Sequence, residues 1–107
     1  WFRKGEDGKF VWPGYGENMR VLKWMIDRIE GSAKGAENGF GISPGYEELN
    51  WSGLSFTPAQ FHTVTHIDKA AWQTELGLHE ELFEQLAHHL PPELPATKAA
   101  IAQRLGA

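Results

Sequence analysis

The sequence contains no cysteine, which excludes a disulfide scaffold, thiolate-ligated zinc and any thiol nucleophile or redox CxxC pair. It has no apolar run approaching the ~20 residues that a membrane-spanning helix requires, and nothing at its start reads as a signal peptide. Positive charge is in short supply: 10 Lys+Arg stand against 14 Asp+Glu, a formal net charge of -4. That balance argues against the basic footprint of a non-specific nucleic-acid binder, while leaving room for a small phosphate ligand held by backbone amides. There is no internal repeat, low-complexity tract or long run of like charge. The expected partner is a small molecule, with no nucleic acid and no membrane.

What the chain does have is aromatic rings. Five Trp, six Phe and two Tyr make up 12% of its 107 residues, too many, with too little charge, for a disordered segment. A chain of this length makes one domain at most and buries only roughly 60–65% of its unfolded surface. It opens without Met on Trp1-Phe2-Arg3-Lys4, an aromatic-basic run that reads as the interior of something longer.

Local signals divide the chain. In residues 1–18, WFRKGEDGKFVWPGYGEN, Asp7-Gly8 predicts a tight turn between short strands over 1–4 and 9–12, and Pro13-Gly14 ends the second. Asn18 is placed to cap a helix over 19–30, with Val21, Leu22, Met25, Ile26 and Ile29 as its apolar face and Gly31 as its stop. Residues 31–56 read as a loop with short strand structure near 40–43 and with Leu49 and Trp51 as a buried pair. Thr57-Pro58-Ala59-Gln60 is a capping box with Pro at the first helical position. A longer helix starts near Asp68, where Trp72, Leu76, His79, Phe83, Leu86 and Leu90 recur at spacings of four and three until Pro91-Pro92. A last helix over 95–105 completes the helical region 57–107. The fold class is therefore α+β: mainly helical, with a few short strands.

The chemistry concentrates in Phe10 to Asn18, FVWPGYGEN. Gly14 and Gly16 let backbone approach a flat ligand, the rings offer π-faces, and an Asn at a helix start can read a polar ring edge. Stacking contributes ~1–3 kcal/mol per base, enough to anchor a purine between two rings. The run is neither GxGxxG nor a Walker loop. On residue type alone, Phe10, Trp12 and Tyr15 are more often core or turn residues, and Asn18 is more often a plain helix cap. The remaining polar candidates carry bland readings. His62 and His66 are four apart but lack the HExxH glutamate and a third ligand. His88-His89 ends a helix, Lys23 with Asp27 is a favourable surface pair, and Glu80 with Glu84 is a repulsive one. Arg3 is given no role, and no residue reads as a general base.

The run WFRKGEDGKFVWPGYGENMRVLKWMIDRIEG closely resembles the nucleotide-binding region of GTP-dependent phosphoenolpyruvate carboxykinases, nearly gap-free from Trp1 to Gly31; GISPGYEELNWSGL and the terminal helices follow the family more loosely. The resemblance implies that residues 1–107 are a C-terminal fragment of such an enzyme, part of a larger mixed α/β lobe. It implies that Phe2, Phe10 and Tyr15 hold the guanine ring and that Asn18 hydrogen-bonds the base, with Tyr15 standing where many members have Phe. Trp12, Gly14 and Gly16 would shape the loop. The family converts oxaloacetate and GTP into phosphoenolpyruvate, carbon dioxide and GDP with Mn²⁺ and Mg²⁺, in gluconeogenesis, as a cytoplasmic monomer. Its metal ligands, phosphate-binding loop and catalytic groups fall upstream of the matched region, so neither catalytic residues nor metal ligands are expected here.

Two other readings stay open on the sequence: a non-enzymatic module that binds a partner through the aromatic patch, and a structural helical cap. The cap requires Phe10 and Tyr15 to be buried with no groove between them. Base recognition requires an open slot beside Asn18.

Overall fold

The computed structural model describes residues 2–106. Four helices, α1 (Asn18–Ile29), α2 (Pro58–Thr65), α3 (Lys69–Gln85) and α4 (Glu93–Leu105), account for most of the regular structure. Strands β1 (Ala36–Asn38) and β2 (Gly41–Ser43) pair as a hairpin whose two-residue connection requires them to be antiparallel. The chain is thus mostly helical with two short antiparallel strands. Trp1, assigned to the first strand on sequence grounds, lies outside the described residues.

The described residues form two compact units, one of residues 2–37 and 42–66, the other of residues 38–41 and 67–106. In the first unit, the strands expected on either side of Asp7-Gly8 contract to a single antiparallel bridge, Lys4 with Phe10. The turn itself forms: Gly8 adopts φ 74, and the Asp7 carboxylate accepts the Lys9 N–H at 3.0 Å. A ribbon this short cannot extend without a neighbouring strand to pair with.

The core of this unit is aromatic. Trp51 stacks between Tyr46 and Phe56, with ring centroids 5.2 and 5.1 Å away, while Trp12 sets its edge against Phe56 at 5.5 Å and Trp51 at 6.3 Å. The polar tips are satisfied: the Tyr46 hydroxyl donates to the Phe56 carbonyl at 2.6 Å, and the Trp51 indole N–H donates to the Tyr46 carbonyl at 2.9 Å. Leu49 is buried as expected, whereas Trp51 is half-buried. The hairpin base closes over Trp24, where Gly35 sits at φ 141 and a Cβ would fall 2.6 Å from Ile42 and 3.1 Å from the Trp24 ring. No other residue fits there.

Helix α1 departs from its expected face. Leu22, Met25, Ile26 and Ile29 are exposed, and Trp24 is the buried apolar residue of the helix. The 3.6-residue period locates an apolar stripe correctly, but packing against the hairpin base selects a different position. Helix α2 begins as the capping box dictates, with Thr57 Oγ1 accepting the Gln60 N–H and Gln60 Oε1 accepting the Thr57 N–H.

In the second unit, α3 is capped by Asp68, whose carboxylate accepts the Ala71 N–H at 3.0 Å. It packs against α4. The helix stops at Gln85 rather than running to Pro91-Pro92, and residues 86–89 form turns. Two prolines bar one helix from running through them without obliging α3 to reach them, and α4 starts directly after them. Glu80, read as a repulsive neighbour of Glu84, instead pairs with Lys98 of α4. Helix α4 closes on Gly106 in the left-handed conformation, φ 73.

Candidate functional site

The segment after Trp12 enters α1 through Gly14, at φ 132 and ψ 177, and one 3₁₀ turn, Tyr15–Glu17. This backbone state is accessible essentially to glycine alone. It throws Tyr15 outward, so the ring is 91% exposed. Phe2 and Phe10 meet edge to face with centroids 5.9 Å apart, and the Lys4 ammonium lies 5.6 Å from the Phe10 centroid. Phe2 is 79% and Phe10 56% exposed.

Between these rings lies a slot of about 230 Å³ lined by Phe2, Phe10, Trp12, Gly14, Tyr15 and Asn18. All four residues singled out in the sequence therefore reach one cavity. Pockets for drug-sized ligands run to about 300–1,000 Å³, so a slot of this size suits one flat ring system whose substituents extend into solvent.

Asn18 forms the polar floor. It is 8% exposed, and its Oδ1 accepts the N–H of the Trp12 indole at 2.8 Å. Asn18 is not the helix cap: it is the first helical residue, and its side chain makes no cap hydrogen bond because the carbonyl oxygen is committed to Trp12. The N-cap position falls to Glu17.

Two supports escaped the sequence reading. Arg20 ties the start of α1 to the following loop, donating to the Glu17 carboxylate at 2.6 Å, to the Ser52 carbonyl at 2.9 Å and to the Asn50 carbonyl. A Glu–Arg pair three apart at a helix start is the signal that could have found it. Tyr46, Trp51 and Phe56 brace Trp12 from behind, and no local pattern indicates that. Arg3, given no role, donates to the carbonyls of Thr63 and His66, which ties the first residues to the end of α2.

No divalent-metal centre is assembled among the described residues. No group of three potential His, Asp or Glu ligands converges, and His62 and His66 stand with rings 5.4 Å apart and no third partner. The described residues thus offer no ligand set for a divalent metal. A larger depression of about 500 Å³ between α3 and α4 is bounded by Phe83, Leu90, Glu84 and the Glu80–Lys98 pair. It has neither facing rings nor a buried polar floor. No helix among the described residues is long and apolar enough to cross a membrane.

A glycine-hinged aromatic loop entering a helix, with a buried amide at its floor, defines a pocket suited to a small flat molecule with a polar edge. Residues 1–104 match the family described as the phosphoenolpyruvate carboxykinase C-terminal P-loop domain, and the chain belongs to this family. It is 42% identical over 106 residues to the phosphoenolpyruvate carboxykinase (GTP) of Paenarthrobacter aurescens strain TC1, an alignment covering 99% of this chain and 17% of that relative. It is 43% identical over 107 residues to the protein of the same name from Anaeromyxobacter dehalogenans strain 2CP-1, covering 100% of this chain and 18% of the relative. The Corynebacterium jeikeium protein of that name is 43% identical over 94 residues, 88% of this chain and 16% of its own length. The chain thus spans less than a fifth of the length of these relatives.

Proposed function

We propose that this chain forms the guanine-binding part of a GTP-dependent phosphoenolpyruvate carboxykinase. In this reading, Phe2 and Phe10 on one side and Tyr15 on the other hold the ring, and Asn18 hydrogen-bonds its polar edge. The whole protein converts oxaloacetate and GTP into phosphoenolpyruvate, carbon dioxide and GDP in gluconeogenesis, as a cytoplasmic monomer using Mn²⁺ and Mg²⁺. The 107 residues alone supply recognition of the base and no catalytic group.

The observation that carries the reading is the open slot, lined by exposed rings and by the buried Asn18 amide. A structural cap would bury Phe10 and Tyr15, and both are exposed. A contiguous set of exposed rings around a cavity marks a ligand groove or an interaction site. Family membership and relatives named for GTP support guanine as that ligand and weigh against an unrelated binding module.

The test is a titration of the isotopically labelled 107-residue chain with guanosine 5′-monophosphate. Two rings at ~1–3 kcal/mol each lead to an expected dissociation constant of the order of millimolar. The expected result is saturable shifts of the Phe2, Phe10, Tyr15 and Asn18 resonances. A folded chain whose spectrum is indifferent to the nucleotide at millimolar concentration would overturn the reading.

A further inference from the structure

We infer that Trp12 is a positioning residue that locks the Asn18 amide so that it offers the slot only hydrogen-bond donors, making the slot selective for a ring that carries a carbonyl rather than an amino group at that edge. This rests on the reading of the slot as a base site. It adds the identity of the group read and the residue that decides it.

An amide can present either its oxygen or its NH₂, and which one faces a ligand is fixed by its other partners. An indole N–H can only donate. The Trp12 N–H points at Asn18, and both side chains are buried, at 7% and 8% exposure, so no water can substitute for the partner. Turning the amide over would set donor against donor in a buried site, so the oxygen stays on Trp12. The Asn18 NH₂ makes no hydrogen bond among the described residues, yet it is not sealed from solvent, and Asn18 lines the slot.

Trp12 cannot turn away to release the lock. Its ring is wedged against Phe56 and Trp51, which is itself stacked between Tyr46 and Phe56. The orientation of one amide is therefore set by a cluster from residues 46–56. Guanine presents acceptors at O6 and N7, whereas adenine presents a donor at N6 beside N7. A fixed NH₂ is satisfied by the 6-oxo group and meets another donor at the 6-amino group.

The experiment uses the 107-residue chain with the 5′-monophosphates of guanosine, inosine and adenosine, read by NMR. Without ligand, the Trp12 indole proton should exchange slowly with solvent in the wild type and in Asn18→Asp, and rapidly in Asn18→Ala. With ligand, GMP and IMP should bind alike and about tenfold tighter than AMP, the scale of one hydrogen bond made or lost at a fixed donor. Asn18→Asp keeps the Trp12 bond but presents an acceptor, and should shift the preference toward AMP. Trp12→Phe should retain the stacking response but reduce the preference to about twofold. Replacing the Trp12 indole with benzothiophene removes the N–H while preserving ring size, and gives the same answer if Trp12→Phe loses the fold.

A folded Trp12 variant with undiminished preference would overturn the lock. IMP binding as weakly as AMP would overturn the assignment of the 6-oxo group, and equal binding of all three by the wild type would overturn selection by a fixed donor. A wild type indifferent to every purine would instead remove the base-site reading on which this one rests, and slow indole exchange would then show the Trp12–Asn18 bond surviving without that role.

Discussion

At Tyr15 and Asn18 the chemistry of single side chains decides what the slot can do. The Tyr15 ring is 91% exposed, and its hydroxyl makes no hydrogen bond to any described residue. Tyr15→Phe should therefore leave the urea midpoint unchanged, within the ~0.5 kcal/mol scatter of surface substitutions, and leave GMP binding unaltered. Tyr15→Ala should weaken GMP by about five- to 150-fold, the range of one lost stack, with stability again unchanged. Titration of both variants checks the pair together. Phe10, Trp12 and Tyr15 stood out because they crowd into the run 10–18, with Tyr15 bracketed by glycines, whereas Phe2 was singled out only by the family resemblance. The orientation of Asn18 was not legible, because it depends on an indole held by residues more than 30 positions further along the chain.

Elements report how backbone geometry prepares the site. Gly14 holds φ 132 with open space where a Cβ would stand, so Gly14→Ala introduces backbone strain and no collision. It should cost about 1–3 kcal/mol, measured by urea unfolding, and should also weaken GMP by shifting Tyr15. The capping box of α2 is tested by Thr57→Ala, which removes the oxygen that accepts the Gln60 N–H and should cost about 0.5–2 kcal/mol. Its effect on base binding should be nil. The starts of α2 and α3 were readable because caps are short-range devices with fixed spacing. The end of α3 was not, since a helix frays wherever its last turn gains less from packing than it loses in entropy.

For the molecule as a whole, the two units divide the labour. The slot, its aromatic brace and the Arg20 tether all belong to the first unit, while α3 and α4 belong to the second. Guanosine monophosphate should accordingly shift resonances of the first unit around the slot and leave the Trp72 indole of α3 unmoved. A two-dimensional amide and indole spectrum recorded across the titration checks this directly. The exposed apolar stripe of α1 also belongs to this scale: its periodicity is plain in the sequence, but a stripe is buried only when another surface covers it.

The sequence by itself determined the helical character, the turn at Asp7-Gly8, the cap at Thr57 and the start of α3 near Asp68, all of which follow from spacing, backbone preference and side-chain type within a few positions; the residues that line the slot were singled out through the family resemblance. Only the tertiary structure decided that Trp24 rather than the Leu22–Ile26 stripe is buried, that Glu80 finds Lys98, and that Asn18 answers to Trp12 instead of capping its helix. Those outcomes depend on surfaces assembled from separate segments: apolar burial against the hairpin base decides Trp24, attraction between opposite charges decides Glu80, and the cost of leaving the buried Trp12 indole N–H unpaired decides Asn18.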